Sequence, residues 1–405
     1  AGAWCGQNKY LSAIKNAFQN FMPLTIAGAI GVLWCNVLVN DQTGLGLFFK
    51  PIMALDFLNP AFQAVNFCTI SCITVGITLG IAQEIGVWNM GAERAGYIPG
   101  LVGLAAWLSV TNTSHMVDGA KEAFTGIAGN ELGATGLFTG MIIGVLSVEL
   151  FCFFEKQDAL KIKMPEQVPP GVARAFEVLV PATITLIITA CIGSACYNLT
   201  GLYLNDVIKN GIQGPLGAVG ATIPGVMIIY LVIMLFWLVG IHGNNMLSAV
   251  KEALFTPLAL ENVEAFNKGE TPKNIINMYA LQMWGEFGGS GVTIGLVIAI
   301  MIFGKREDNK AIATLSLVPG LFNINETVTF GIPMVLNPIL GIPFVVAPLV
   351  TIIIGYVLTV IGFCPVACLT VPWTTPPIVF GFLATGANVM GAVTQAILIV
   401  VSTVI

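Results

Sequence analysis

Long apolar runs separated by short polar clusters fill nearly the whole chain. A helix that spans a bilayer needs about 20 mostly apolar residues. Runs of that kind fall at Phe21–Val39, Ala64–Ala82, Ile98–Val110, Leu132–Phe154, Phe176–Tyr197 and Ala218–Val239, then at Val292–Phe303, Ile342–Phe363 and Ile378–Val404. Shorter apolar pieces lie at Ala311–Leu321 and Val328–Ile339. The polar intervals between them leave no room for a soluble domain.

Basic residues orient such a chain, because lysine and arginine accumulate on the cytoplasmic side. Lys156, Lys161, Lys163 and Arg174 form one cluster, and Lys305, Arg306 and Lys310 form another. Both are expected in the cytoplasm, with Lys9 and Lys15 placing the N-terminus there after four crossings. Three apolar stretches separate the two clusters, yet two points on one side require an even number of crossings. Either one stretch does not cross, or the interval Ile241–Trp284 re-enters. That interval holds Lys251, Glu252, Glu261, Glu264, Lys268, Glu270 and Lys273, so part of it is expected to meet water. Non-helical backbone at membrane depth survives only where protein or a watery cavity covers it. Gly320–Pro338 and Gly362–Pro377, where GIP, NP, CP, VP and TPP recur, are likewise expected as broken helices or hairpins, since proline lacks a donor and glycine loosens the backbone.

Composition agrees with the pattern. Of 405 residues 56% are hydrophobic and 9% charged, against about 25% charged in soluble domains. The mean hydropathy is +0.88. An all-α integral membrane protein is predicted, multi-pass in the lipid bilayer. The net charge of −5 comes with no basic cluster large enough for nucleic acid. The nine cysteines, Cys5 among them, form no CxxC pair, so neither a disulfide framework nor a zinc site is expected, and small buried hydrophobes are. The opening AGAWCGQNKYLSAIKNAF lacks the apolar core and cleavage site of a removable signal peptide. Walker, HExxH, nucleophile-elbow and dinucleotide signatures are missing, so no cofactor and no metal is expected, and ATP is not the energy source.

From Ala311 to the end, nearly a quarter of the chain, Glu326 is the one side chain with a formal charge. A carboxylate at the bilayer centre costs about 2.5–3.5 kcal/mol on insertion scales, so it usually faces a cavity or a partner. Interrupted helices near the midplane commonly form transporter sites, although membrane helices also tolerate ordinary proline kinks. Asn323 and Asn325 accompany Glu326; amides that donate and accept, beside a strong acceptor, suit the hydroxyls of a sugar. They also suit capping of a broken helix. Of the two histidines, His115 sits in a polar loop and reads as solvated. His242, in GIHGNN, follows a purely apolar run. It either caps a helix end or belongs to a site, and the close approach allowed by Gly240 and Gly243 with the amides of Asn244 and Asn245 favours the site. Trp237 and Trp373 are candidate stacking faces for a sugar ring, whereas Trp4 and Trp88 read as interfacial anchors. WGEFGGSG is either a turn facing substrate or a place of close helix packing.

IKMPEQVPPGVARAFEVLVPA, MLFWLVGIHGNN, WGEFGGSG, LFNINETVTFGIPMVLNP and VPWTTPP, in this order, resemble enzyme IIC of the bacterial phosphoenolpyruvate-dependent sugar phosphotransferase system, specifically its lactose/cellobiose/chitobiose group. The resemblance covers most of the chain. It departs at Thr327, where the group more often has proline after the acid. It implies a homodimer of about ten transmembrane helices with two re-entrant hairpins, in the bacterial cytoplasmic membrane. The N-terminal half (1–175) would form the dimer interface, and 176–405 would bind the sugar and move. A disaccharide, N,N′-diacetylchitobiose or cellobiose ahead of lactose, would receive a phosphoryl group on its 6-hydroxyl from a cysteine phosphate of a separate IIB protein. His242 and Glu326 would stand beside that hydroxyl as the catalytic pair, with Asn323, Asn325, Trp373, Trp237, Gly243 and Asn244 around the sugar. A proton-coupled permease with Glu326 as proton carrier, and a sugar sensor that does not transport, remain as other readings of the same residues.

Overall fold

The computed structural model describes residues 8–41, 45–115, 124–165, 167–215, 220–332, 334 and 337–405. Trp4 and Cys5 lie outside them. The chain is an all-α integral membrane protein; among the described residues the strands amount to one short ladder, Ser114–His115 against Phe124–Thr125. Among the described residues four helices are long and apolar enough to cross a membrane, or five if one broken pair counts as a single span. Two compact units divide the residues: 7–23 with 69–216, and 24–68 with 217–405, apart from the undescribed N-terminal residues. The helix Pro170–Thr200 packs with its predecessors and belongs to the first of these units.

The smaller unit contains the start of α1 (Lys9–Leu33) and α2 (Ile73–Met90), α3 (Ile98–Val110), α4 (Ala134–Glu155) and α5 (Pro170–Thr200). Ile73, Ile77, Ile81 and Ile85 recur every four residues, so they share one buried face of α2. Small residues let the neighbours approach closely. A Cβ on Gly103 of α3 would stand 2.3 Å from that of Ala82, and one on Gly140 of α4 would stand 2.2 Å from the Thr78 hydroxyl. Where lipid removes the hydrophobic drive between helices, such close packing takes over. The single span expected over Ala64–Ala82 is interrupted: a π-helical turn at Phe67–Ser71 precedes a break at Cys72.

Charged groups gather at one end of this unit. Glu155 is buried and its Oε1 accepts from Arg94 Nη2 at 2.7 Å and Arg174 Nη1 at 2.9 Å; Glu177 receives both arginines at 2.8 Å. Lys9 Nζ meets Glu149 at 2.5 Å near the same end of α4. The start of α1 and the end of α4 therefore lie together. Beyond α4, the ammonium of Lys161, 2.9 Å away, holds the exposed Asp158 carboxyl below the usual carboxylate range.

The larger unit carries α6 (Ile223–Leu238), α7 (Gly243–Asn267), α8 (Met278–Gly285), α9 (Ile294–Phe303), α10 (Glu307–Leu321), α11 (Glu326–Gly331), α12 (Pro338–Val360), α13 (Val379–Ala384) and α14 (Val389–Val404). Its core joins Ile233, Met234 and Trp237 of α6 to Val297, Ala313, Val328, Ile332 and Phe344. The expected breaks are present: α10 and α11 are separate, and the chain leaves helix after α12 for a largely buried segment through Cys364, Ala367 and Leu369. One expected span, Ile378–Val404, is two helices. Gly386 and Ala387 both take positive φ, and Asn388 caps α14 by accepting from Met390 N. Apolar content alone cannot reveal such a turn.

Gln395 of α14 holds this corner. Its Oε1 accepts from the backbone of Ile378 at 2.7 Å and Gly381 at 2.8 Å, and its Nε2 donates to Met283 O. Each buried amide left without a partner costs roughly 1–3 kcal/mol. Gln395→Leu is accordingly expected to lower the thermal midpoint of the detergent-extracted protein; an unchanged midpoint contradicts this role.

Candidate functional site

Every residue singled out around the acid and the second histidine lies in the larger unit. Gly240, at φ +80°, turns the chain out of α6, and His242 becomes the first residue before α7. Gly243 follows under a hard constraint: a Cβ there would lie 2.0 Å from the carbonyl oxygen of Ile233. His242 caps its helix, its Nδ1 accepting from the backbone N–H of Asn245 at 3.2 Å. With Nδ1 an acceptor, a neutral imidazole carries its proton on Nε2. Capping and site membership, alternatives on sequence grounds, are thus compatible in one residue.

The Nε2 atom faces Glu326 Oε1 at 3.7 Å. That is beyond a direct hydrogen bond, and an oxygen placed about 2.8 Å from both would fit the geometry. Neither group is buried: 35% of the imidazole side chain and 47% of the carboxylate side chain are accessible. Glu326 opens α11 after a sharp turn in which Asn323 has φ +62°, a conformation asparagine tolerates better than most residues. Thr327 stands in the first turn of α11, where backbone N–H groups have no intrahelical partner anyway. Threonine in place of proline therefore removes stiffness but no hydrogen bond.

Asn323 and Asn325 hold this turn. Asn323 Oδ1 accepts from Gly288 N at 2.6 Å, and its Nδ2 donates to the carbonyls of Trp373 at 2.5 Å and Thr375 at 3.0 Å. Asn325 is buried and donates to Ser290 O at 2.8 Å. The Trp373 segment is thereby tied to the segment carrying Glu326, and the indole residue itself is 45% exposed. Trp237 differs from expectation. It is 1% exposed, with its ring centroid 4.4 Å from that of His242 and 6.3 Å from that of Phe330. Packed on the core side, it braces the imidazole and has no open face for a sugar. Asn244 also points elsewhere, donating to Ser290 Oγ at 2.8 Å and accepting from Lys251 at 3.3 Å.

WGEFGGSG is a buried turn and not a flexible one. Gly288, Gly289, Gly291 and Val292 all adopt positive φ, and a Cβ on Gly289 would meet the Asn325 side chain at 2.7 Å. Close approach explains these glycines. The charges expected to bring part of Ile241–Trp284 to water divide between a buried lysine and an exposed tip. Lys251 does not meet water: it is 5% exposed and forms an ion pair with Glu286, whose Oε1 also accepts from Tyr230 OH at 2.7 Å. The water-facing part of the interval is its tip, where Asn267–Thr271 and Lys273 are exposed. Asn262 and Asn277, both fully buried, fasten the returning chain by donating to Ala367 O. The acid within WGEFGGSG was the available signal for Lys251, and no local signal marked Asn262.

His115, in the smaller unit, pairs within the short ladder and its ring lies 5.6 Å from that of Phe124. Among the described residues no three His, Cys, Asp or Glu side chains converge as a metal site, and the eight described cysteines are free thiols.

A model of the family described as "Phosphotransferase system, EIIC" matches residues 15–348. The chain is 33% identical over 395 residues to the oligo-beta-mannoside-specific EIIC component of the PTS system of Bacillus subtilis (strain 168), covering 96% of this chain and 86% of that protein. It is 30% identical to the cellobiose-specific EIIC component of Lactococcus lactis subsp. lactis (strain IL1403), covering 99% and 93%. A solved structure is also similar, that of the transporter ChbC, the IIC component from the N,N'-diacetylchitobiose-specific phosphotransferase system. Its TM-score is 0.90 at 29% identity, over 99% of this chain and 93% of that one.

Proposed function

The chain belongs to the EIIC family, the membrane component of the sugar-phosphorylating phosphotransferase system, and from that premise we propose that it imports a β-linked disaccharide and presents its 6-hydroxyl for phosphorylation. N,N′-diacetylchitobiose and cellobiose are the proposed substrates, in line with what the similar ChbC and the Lactococcus relative are named for. The observation that carries the reading is the opposed pair: an imidazole Nε2–H and a carboxylate, both accessible, with room between them for one hydroxyl oxygen.

The reaction then balances simply. The hydroxyl oxygen attacks phosphorus, the S–P bond of a cysteine phosphate on the IIB protein breaks, and the hydroxyl proton passes to the Glu326 carboxylate. His242 Nε2–H donates to the same oxygen and keeps it in line with the donor; such alignment carries much of the rate in phosphoryl transfer. Trp373 offers an apolar face to a sugar ring. Asn323 and Asn325 act by fixing the segments that carry Trp373 and Glu326, while Gly243 and Trp237 set the imidazole. The protein works as a homodimer of about ten transmembrane helices with two re-entrant hairpins in the bacterial inner membrane. The interface falls to the N-terminal helices. The basic segment after α4, beside a cavity of about 750 Å³ lined by Arg94, Lys161, Lys163 and Arg174, is the proposed contact for IIB.

Uptake into vesicles tests this. Labelled disaccharide is expected inside as sugar phosphate only when phosphoenolpyruvate and the IIB partner are supplied, with a collapsed proton gradient making no difference. Accumulation that stops with the gradient and ignores the partner contradicts phosphorylation and favours a proton-coupled permease. Sugar that binds but never enters indicates a sensor.

A further inference from the structure

We propose that Lys251 is a positioning residue for the sugar site: with Glu286 it clamps the buried 286–291 turn, which is the common anchor of the three segments carrying His242, Glu326 and Trp373. This rests on the functional reading above.

The connections can be followed atom by atom. Lys251 Nζ pairs with the Glu286 carboxylate, and Tyr230 OH of α6 donates to the same oxygen at 2.7 Å. The ammonium also donates to Asn244 Oδ1 at 3.3 Å, and Asn244, two residues after His242, donates to Ser290 Oγ at 2.8 Å. Ser290 O in turn accepts from Asn325, adjacent to Glu326. From the same turn, Gly288 N donates to Asn323, which holds Trp373 O and Thr375 O. One end of the turn is thus fixed by the ion pair, and its middle distributes that position to all three segments.

Charge chemistry gives the pair a reason to exist. Taking two ions out of water is costly, and apolar replacements of similar shape often serve stability as well or better. A pair with its lysine buried and its glutamate largely enclosed is best explained when it fixes one arrangement among several. Here the glycines leave the turn many conformations on its own, and an ammonium with three donors and no acceptor selects the one that points Glu286 inward. The ion pair acts on the Glu326–His242 gap through the turn, along the hydrogen bonds of Asn244, Ser290 and Asn325.

The test uses the full-length protein in detergent and in vesicles, with labelled N,N′-diacetylchitobiose and cellobiose as probes. Removing Lys251 alone strands a largely enclosed carboxylate and destabilises the fold whatever its role. The informative variant is therefore Lys251→Met with Glu286→Gln, in which neither charge remains. We expect it to keep a near wild-type thermal midpoint but to weaken sugar binding at least about tenfold, the equivalent of one positioned hydrogen bond. Tyr230→Phe and Ser290→Ala, which delete single hydroxyls and keep every apolar contact, are expected to raise the sugar Kd severalfold with unchanged midpoints. Wild-type Kd in these two variants overturns the proposal whether or not the double variant folds, as does wild-type Kd in a folded double variant. If the unaltered protein binds neither sugar, the functional reading fails instead, which separates the two outcomes.

Discussion

Glu326→Gln is expected to lower phosphorylation of the sugar by about 10²–10⁴-fold, the range associated with a positioned general base. Glutamine keeps the shape of the side chain and one carbonyl oxygen, so it can still accept a hydrogen bond from a sugar hydroxyl. It cannot take the proton. Sugar binding should therefore survive within a few-fold while turnover collapses, and kcat should move far more than KM. The variant also separates two roles that the static geometry allows for an accessible carboxylate 3.7 Å from an imidazole. A residue that merely held the hydroxyl would be replaced well by glutamine, with a loss below about tenfold, equivalent to one ordinary hydrogen bond. Titrating the sugar with purified IIB phosphate and following sugar phosphate formation gives both constants in one experiment.

The second large effect concerns His242→Ala. Three contacts vanish together: the cap to Asn245 N, the packing on Trp237, and the Nε2–H aimed at Glu326. Loss of a helix cap costs about 0.5–2 kcal/mol, which lowers stability without by itself touching chemistry. Losing the Nε2–H removes the donor that holds the hydroxyl in line, and phosphorylation should fall about 10²-fold, a typical loss for a misplaced reacting group. His242→Asn distinguishes these contributions, since asparagine is a good N-cap but cannot reach Glu326. It should restore the thermal midpoint and leave phosphorylation low. Recovery of activity in the asparagine variant would reduce His242 to a helix cap.

The acid was legible in the sequence because a charge in hydrocarbon needs a reason, and Glu326 has no charged neighbour for the rest of the chain. His242 was legible on the same ground. Trp373 was recognisable from the broken segment around it, and the structure ties that segment to Asn323. Lys251 was not, because its partner Glu286 lies 35 residues away and Lys251 itself sits in an interval whose many charges suggest contact with water. Long-range pairing removes the very exposure that local composition suggests. Trp237 shows the opposite limit: sequence can say that an indole is near, but only packing decides whether its face is open. The break at Gly386 and Ala387 escaped because apolar runs look continuous until backbone angles are known. At the level of units, the separation after residue 216 reflects where α5 packs, and no change in composition announces it.

One sugar hydroxyl is expected to lie between Glu326 and His242. A structure of the protein soaked with N,N′-diacetylchitobiose or cellobiose measures this directly. The 6-hydroxyl oxygen is predicted within about 3 Å of both Glu326 Oε1 and His242 Nε2, with a ring of the sugar against Trp373. A bound disaccharide whose 6-hydroxyl points away from Glu326, or one seated outside this pair altogether, would contradict it.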